Sequence, residues 1–169
     1  MKFRIIAIPT SVAQSVRKTG TSPGYGHPTS SGIAQGYGPC RHCLRTFKVG
    51  QERRILFTLD PFEGLEQLPL PGPVFIHEQD CERFPELGGF PDGLRAHPLT
   101  LNAYGRGRRL RAQEYVTDGD IEPLIARLFE RREVDYIHVR DTNAGCYDLR
   151  VERVTLENRS DNSSLTSNP

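Results

Sequence analysis

Only one stretch of this chain has a helical apolar period long enough to make a face: DIEPLIARLFERRE, residues 120–133. Ile121, Leu124, Ile125, Leu128 and Phe129 fall at i, i+3, i+4, i+7 and i+8, which lays a single apolar stripe along a helix. Asp120 is placed to cap its start, Pro123 is tolerated in the first turn, and Arg131 and Arg132 suit the negative end of the helix dipole. The spacing predicts one long amphipathic helix. The rest of the apolar content comes in short, β-rich runs, with no alternating βαβ rhythm to wind a parallel sheet. We expect an α+β fold, mainly an antiparallel sheet of about six to seven strands with that one long helix packed on it.

The strands can be placed from their alternation. KFRIIAI reads as a first strand ended by Pro9, and Ser11 with Gln14 is a weak capping signal for a short helix over SVAQSVRK. In ERRILFTL, residues 52–59, Ile55, Phe57 and Leu59 alternate with Arg54, Leu56 and Thr58, and Asp60-Pro61 stops the run. PVFIHE at 73–78 is a short strand with His77 near its end. LTLNAY and RRLRAQEYV flank Gly-Arg-Gly as a hairpin, and VDYIHVR and CYDLRVERVTL flank Asp-Thr-Asn-Ala-Gly in the same way.

Residues 19–39 hold six glycines and three prolines with no apolar period, so a long loop is expected there. The last residues, 158–169, are polar and read as a disordered tail, leaving 1–157 as a single α+β domain. Lys and Arg number 22 and Asp and Glu 21, a balance that gives no general attraction to nucleic acid or acidic membranes. The RGRR run at 106–109 sits at a hairpin turn without interleaved aromatics, which suits a solvated turn better than a phosphate-binding face. No apolar window approaches a membrane span and the N-terminus lacks a signal-peptide core, so a cytoplasmic location is expected. Partners are not legible.

In a reducing compartment four cysteines are better read as ligands or reactive thiols than as disulfides. Cys40 and Cys43 have the Cys-x2-Cys spacing that lets two thiolates on a tight turn face one ion. His77 and Cys81 form a His-x3-Cys pair at the end of a strand, and together the four make a Cys3His set of the structural zinc type. Zinc is the cofactor such a set admits. The same Cys40 and Cys43 also fit a thiol redox pair or a cysteine-dependent enzyme, with Arg41 and His42 favouring thiolate. A third reading makes them small apolar residues in a core. A Rieske iron–sulfur centre is excluded because Cys-x-His occurs without any Cys-x2-His.

His138 and Arg140 lie two apart on a strand and share its face with Tyr136. Together they suit an anion in a non-catalytic binding module, or simply the solvated side of a sheet. Cys146, across that hairpin, would make a Cys/His pair if it met His138, although a buried thiol is the plainer expectation.

PCRHCLR, LDPF, GPVFIHEQDC and YIHVRDTNAGCYDLRVER, in that order, resemble a bacterial family known as domain of unknown function 1203. The matching positions include Cys40, Arg41, Cys43, Phe62, His77, Cys81, His138, Arg140 and Cys146, with Asp141 standing where the family pattern suggests Asn. The resemblance implies a single-domain protein of about this length and assigns no activity or cofactor.

Overall fold

The computed structural model describes residues 2–62, 71–117 and 120–154. The expected tail at 158–169 lies outside them. The elements run β1 (Phe3–Ile6), α1 (Thr10–Thr19), β2 (Ser30–Ile33), β3 (Arg53–Leu59), β4 (Gly72–His77), α2 (Asp92–Arg95), β5 (Leu99–Gly105), β6 (Arg109–Val116), α3 (Ile121–Glu130), β7 (Tyr136–Asp141) and β8 (Tyr147–Arg153). The strands form two antiparallel sheets among the described residues. One has five strands in the order β1-β8-β7-β5-β6, and the other has three in the order β2-β3-β4. The fold is α+β, but two sheets replace the single sheet that strand patterns alone suggested.

Each sheet has its own core. Leu101, Ala103, Ile137, Val139, Leu149 and Val151 of the large sheet bury against Ile121, Ile125, Leu128 and Phe129 of α3. Ala13 and Val16 of α1 bury with Ile55, Phe57, Val74 and Ile76 of the small sheet, and Cys40, Cys43 and Tyr147 belong to this second cluster. Each fully buried aliphatic or phenyl group contributes about 1.5–3 kcal/mol, so each layer gains from its own core.

The long helix is not borne out. α3 has 10 residues, as does α1, and it ends at Glu130. Arg131 leaves in an extended conformation, because the chain must turn at once to bury Val134 and to let Asp135 N–H reach the Tyr104 carbonyl at 2.8 Å. A glycine permits this close return. A Cβ at Gly105 would stand 2.3 Å from the Glu133 carbonyl oxygen, a separation no side chain tolerates. The cap of α3 also differs, since Asp120 occupies the N-cap position without a side-chain hydrogen bond. Likewise α1 starts after Pro9, whose carbonyl accepts from Val12 and Ala13, and no Ser11 cap forms.

The segment 19–39 is not one loop. Ser30–Ile33 pairs with Arg53–Leu56 as strand β2, and a Thr21–Pro28 bridge closes a turn before it. Ser30, Ser31 and Ile33 are exposed, so this edge strand rests on its backbone ladder and leaves no apolar alternation to read.

Candidate metal centre

The two sheets meet at a turn. Pro39 and Thr46 pair across it, Cys40 N–H donates to the Arg45 carbonyl at 2.9 Å, and Leu44 N–H returns to the Cys40 carbonyl at 2.8 Å. Leu44 takes a left-handed φ of 55°, which a β-unbranched residue tolerates when the turn requires it. The turn lays Cys40 and Cys43 against the end of β4, where His77 N–H donates to Cys40 Sγ at 3.2 Å. Arg41 fastens the turn to the large sheet. Its guanidinium donates to the Tyr147 carbonyl at 2.7 Å and the Pro39 carbonyl at 2.6 Å, and its Nη2 lies 3.0 Å from Asp148 Oδ1. Arg41 and Asp148 are both buried, and the contact is an ion pair without a well-aligned hydrogen bond, since neither Asp148 oxygen accepts one. Arg41 thus serves the joint between sheets, not the thiols.

The four residues expected as ligands converge. Cys43 Sγ is 3.2 Å from His77 Nδ1, Cys40 Sγ is 3.9 Å from Cys81 Sγ, and all four donor atoms lie within 4.8 Å of one another. An ion at the usual distances of about 2.3 Å from sulfur and about 2.0–2.1 Å from nitrogen needs edges of about 3.8 Å between sulfurs and about 3.5 Å between sulfur and nitrogen. The contacts straddle these lengths, so shifts of about 1 Å or less would complete a tetrahedron. Cys40, Cys43 and His77 are buried and Cys81 is half-buried. The donor set is the one that structural zinc takes.

The surroundings support the same use. His77 Nε2 has no hydrogen-bond partner, and the Glu52 carboxylate stands near it, with Oε2 3.6 Å away. Arg17 on α1 donates from Nη2 to Cys81 Sγ at 3.5 Å and from Nε to the His77 carbonyl at 3.0 Å. His42 is not a fifth member of the four-atom cluster. Its ring bridges Cys81 Sγ, 3.2 Å from Nδ1, and Thr10 Oγ1, 3.1 Å from Nε2. Neither Arg17, Thr10 nor Glu52 carries a signal in the sequence, because each reaches the cluster from a distant segment.

The charges of the four residues depend on one another. Hydrogen bonds from Cys40 and Cys81 hold the Cys43 thiol far below its ordinary range, while bonds to Cys40 and Cys43, with burial, push Cys81 upward. Burial alone would lower His77, but hydrogen bonds to Cys40 and Cys43 and their charge outweigh it and raise the imidazole to about 10. His42 is pushed down by burial and then by Arg17. A divalent cation would balance several thiolates at once.

The other expected residues are elsewhere. His138 is fully buried, contrary to a solvated face, because Phe62, Tyr104, Tyr136 and Tyr147 pack around it. Arg140 donates to the Gly145 carbonyl at 3.0 Å. Cys146 is half-buried and its sulfur faces the Ala144 carbonyl, whereas neither nitrogen of His138 has a partner, so no Cys/His pair forms. Asp141 accepts from Ala144 N–H at 2.6 Å within the β7–β8 turn, a role that the amide oxygen of Asn would fill equally well.

Fold and cluster together define a small two-sheet α+β protein with a Cys3His site at the joint between its sheets. The chain belongs to the family described as "Protein of unknown function (DUF1203)", which matches residues 37–153 and so includes all four cluster residues. No curated protein and no solved structure matches it.

Proposed function

We propose that Cys40, Cys43, His77 and Cys81 hold one structural zinc ion, and that the ion fastens the 40–45 turn to the end of β4. The convergence of exactly one donor atom from each of four residues within 4.8 Å carries this reading. With four protein ligands the ion has no open position for substrate, which separates a structural site from a catalytic one. The buried Arg41–Asp148 contact continues the fastening to β8. The protein is then a metal-stapled module in a thiol-reducing compartment such as the cytoplasm, where free thiolates persist. Among the described residues no helix is long and apolar enough to cross a membrane.

Elemental analysis of protein purified without added metal tests this directly. About one zinc per chain is expected, and a chelator should lower the melting temperature by about 10 °C, since binding is coupled to folding. Less than about 0.1 zinc per chain, with all four thiols titrating freely, would sink the reading.

One observation favours a second reading, thiol chemistry. Cys81 is the most exposed thiol of the cluster and has both an imidazole and a guanidinium on its sulfur. In that case Cys81 and Cys40, 3.9 Å apart, would close a disulfide by exchange with an external disulfide substrate, which takes up the two electrons and two protons and leaves as two thiols. Metal-free protein in which any one thiol of the cluster alkylates with an apparent pKa well below about 8.5 would support it, and ordinary reactivity at all four thiols would remove it.

A further inference from the structure

The face of the large sheet turned away from α3 is polar, and its centre is buried. Ile137 and Val139 belong to the core under α3, so alternation puts Tyr136, His138 and Arg140 on the opposite face. The register sets Asn102 of β5, His138 of β7 and Arg150 of β8 in one row across three strands, roughly 10 Å from end to end at about 4.8 Å per strand. His138 has no exposure and Asn102 is 8% exposed. Asn102 Oδ1, both ring nitrogens of His138 and Arg150 Nε have no hydrogen-bond partner. Glu152 Oε1 lies 2.8 Å from Arg150 Nε, but out of line for a hydrogen bond, and its other oxygen serves Arg4.

Three unpartnered polar atoms on the buried Asn102 and His138, beside the half-buried Arg150 and its Glu152 ion pair, are not ordinary packing, because a buried polar group is costly unless something meets it. The walls are aromatic. The rings of Phe62, Tyr136, Tyr147 and Tyr104 stand 4.6, 5.1, 5.2 and 5.4 Å from the His138 ring. Burial, then Arg140 and Arg150, push His138 down to about 3, so the ring is neutral and offers one N–H and one lone pair. Arg140 and Arg150 both disfavour the charged imidazole.

We propose that this row binds a small aromatic carboxylate, with its carboxylate at Arg150 and His138, its ring among the four aromatic side chains and a polar substituent toward Asn102. A planar carboxylate matches the in-plane N–H groups of a guanidinium and an imidazole. The aromatic walls select a flat apolar body. This site is separate from the cysteine cluster and stands whether or not zinc is found there.

The test uses the full chain labelled with nitrogen-15 in histidine, followed by NMR. The His138 signals are those that vanish in His138→Phe. Benzoate is the probe, with benzamide as its neutral shape, acetate as an anion without a ring and inorganic phosphate as a different anion. Benzoate should shift the His138 signals saturably with a Kd below about 1 mM, and the other three should bind at least about tenfold more weakly. Asn102→Asp, which keeps the shape and adds a negative charge to the row, should weaken benzoate about tenfold or more. Should that variant melt early, Arg150→Gln carries the same expectation. No saturable shift with benzoate would overturn the proposal. So would benzamide or phosphate binding as tightly as benzoate, or benzoate binding unchanged in folded Asn102→Asp or Arg150→Gln protein.

Discussion

Two polar clusters, one at the end of the small sheet and one on the large sheet, handle polarity in opposite ways. At the cysteine cluster the donor atoms face one another, so Cys43 meets His77 and Cys40 meets Cys81 within hydrogen-bonding reach of sulfur. At the His138 row the polar atoms are arranged side by side and face aromatic rings, leaving Asn102 Oδ1 and both His138 nitrogens without partners. The difference follows from the backbone. A tight turn and a strand end can aim several side chains at one point, whereas neighbouring strands present theirs in parallel. Convergence suits an ion, and a parallel row suits an extended ligand.

The largest expected effect breaks the first cluster. Cys40→Ser should lose the metal and lower the melting temperature by about 10 °C or more, while His42→Ala, which leaves all four ligands, should keep the metal; elemental analysis and thermal melts check both. Equal metal content in Cys40→Ser and the unaltered chain would remove the contrast.

Next comes the joint. Arg41→Met strands Asp148 in a dry site and should cost about 3 kcal/mol in urea unfolding, and adding Asp148→Leu should return part of that. Asp148 also predicts a pH dependence. Burial lifts its pKa from 3.8 to about 6, against the opposing charge of Arg41. The folded state therefore holds the proton longer than the unfolded one. Its contribution is fully present below about pH 4 and is lost as pH rises through about 6. Asp148→Asn should abolish a fall of about 3 kcal/mol across that window, read as the difference between the two stability profiles.

Gly105→Ala drives a methyl group into the Glu133 carbonyl and should cost about 2 kcal/mol without changing metal content, as denaturant titration would show. The smallest effect sharpens the second cluster. His138→Phe replaces two orphaned nitrogens with an apolar ring among aromatic neighbours and should stabilise the fold by about 1 kcal/mol while losing benzoate. A loss of stability there would mean that the imidazole is held by partners in the folded chain.

Much of this molecule was legible locally. β3, β4, the β5–β6 and β7–β8 hairpins and the apolar stripe of α3 follow from alternation or helical period, which depend only on near neighbours along the chain. β2 was not, because Ser30-Ser31-Gly32-Ile33 has no apolar face and forms only when β3 presents its ladder. The end of α3 was placed too late, because the turn that buries Val134 is decided by the sheet beneath it. In the cysteine cluster the spacings Cys40-x2-Cys43 and His77-x3-Cys81 named the four residues that converge, yet Glu52, Arg17 and Thr10 carried no mark.

Local chemistry thus specified the secondary elements, the α+β class and the two half-sites, since spacing along a turn or strand controls what two nearby side chains can reach. Whether those halves meet, and whether His138 faces water or rings, depends on where residues far apart along the chain come to lie. That was decided by the packing of one sheet on the other, where burial and the Arg41 joint set distances that no local spacing encodes.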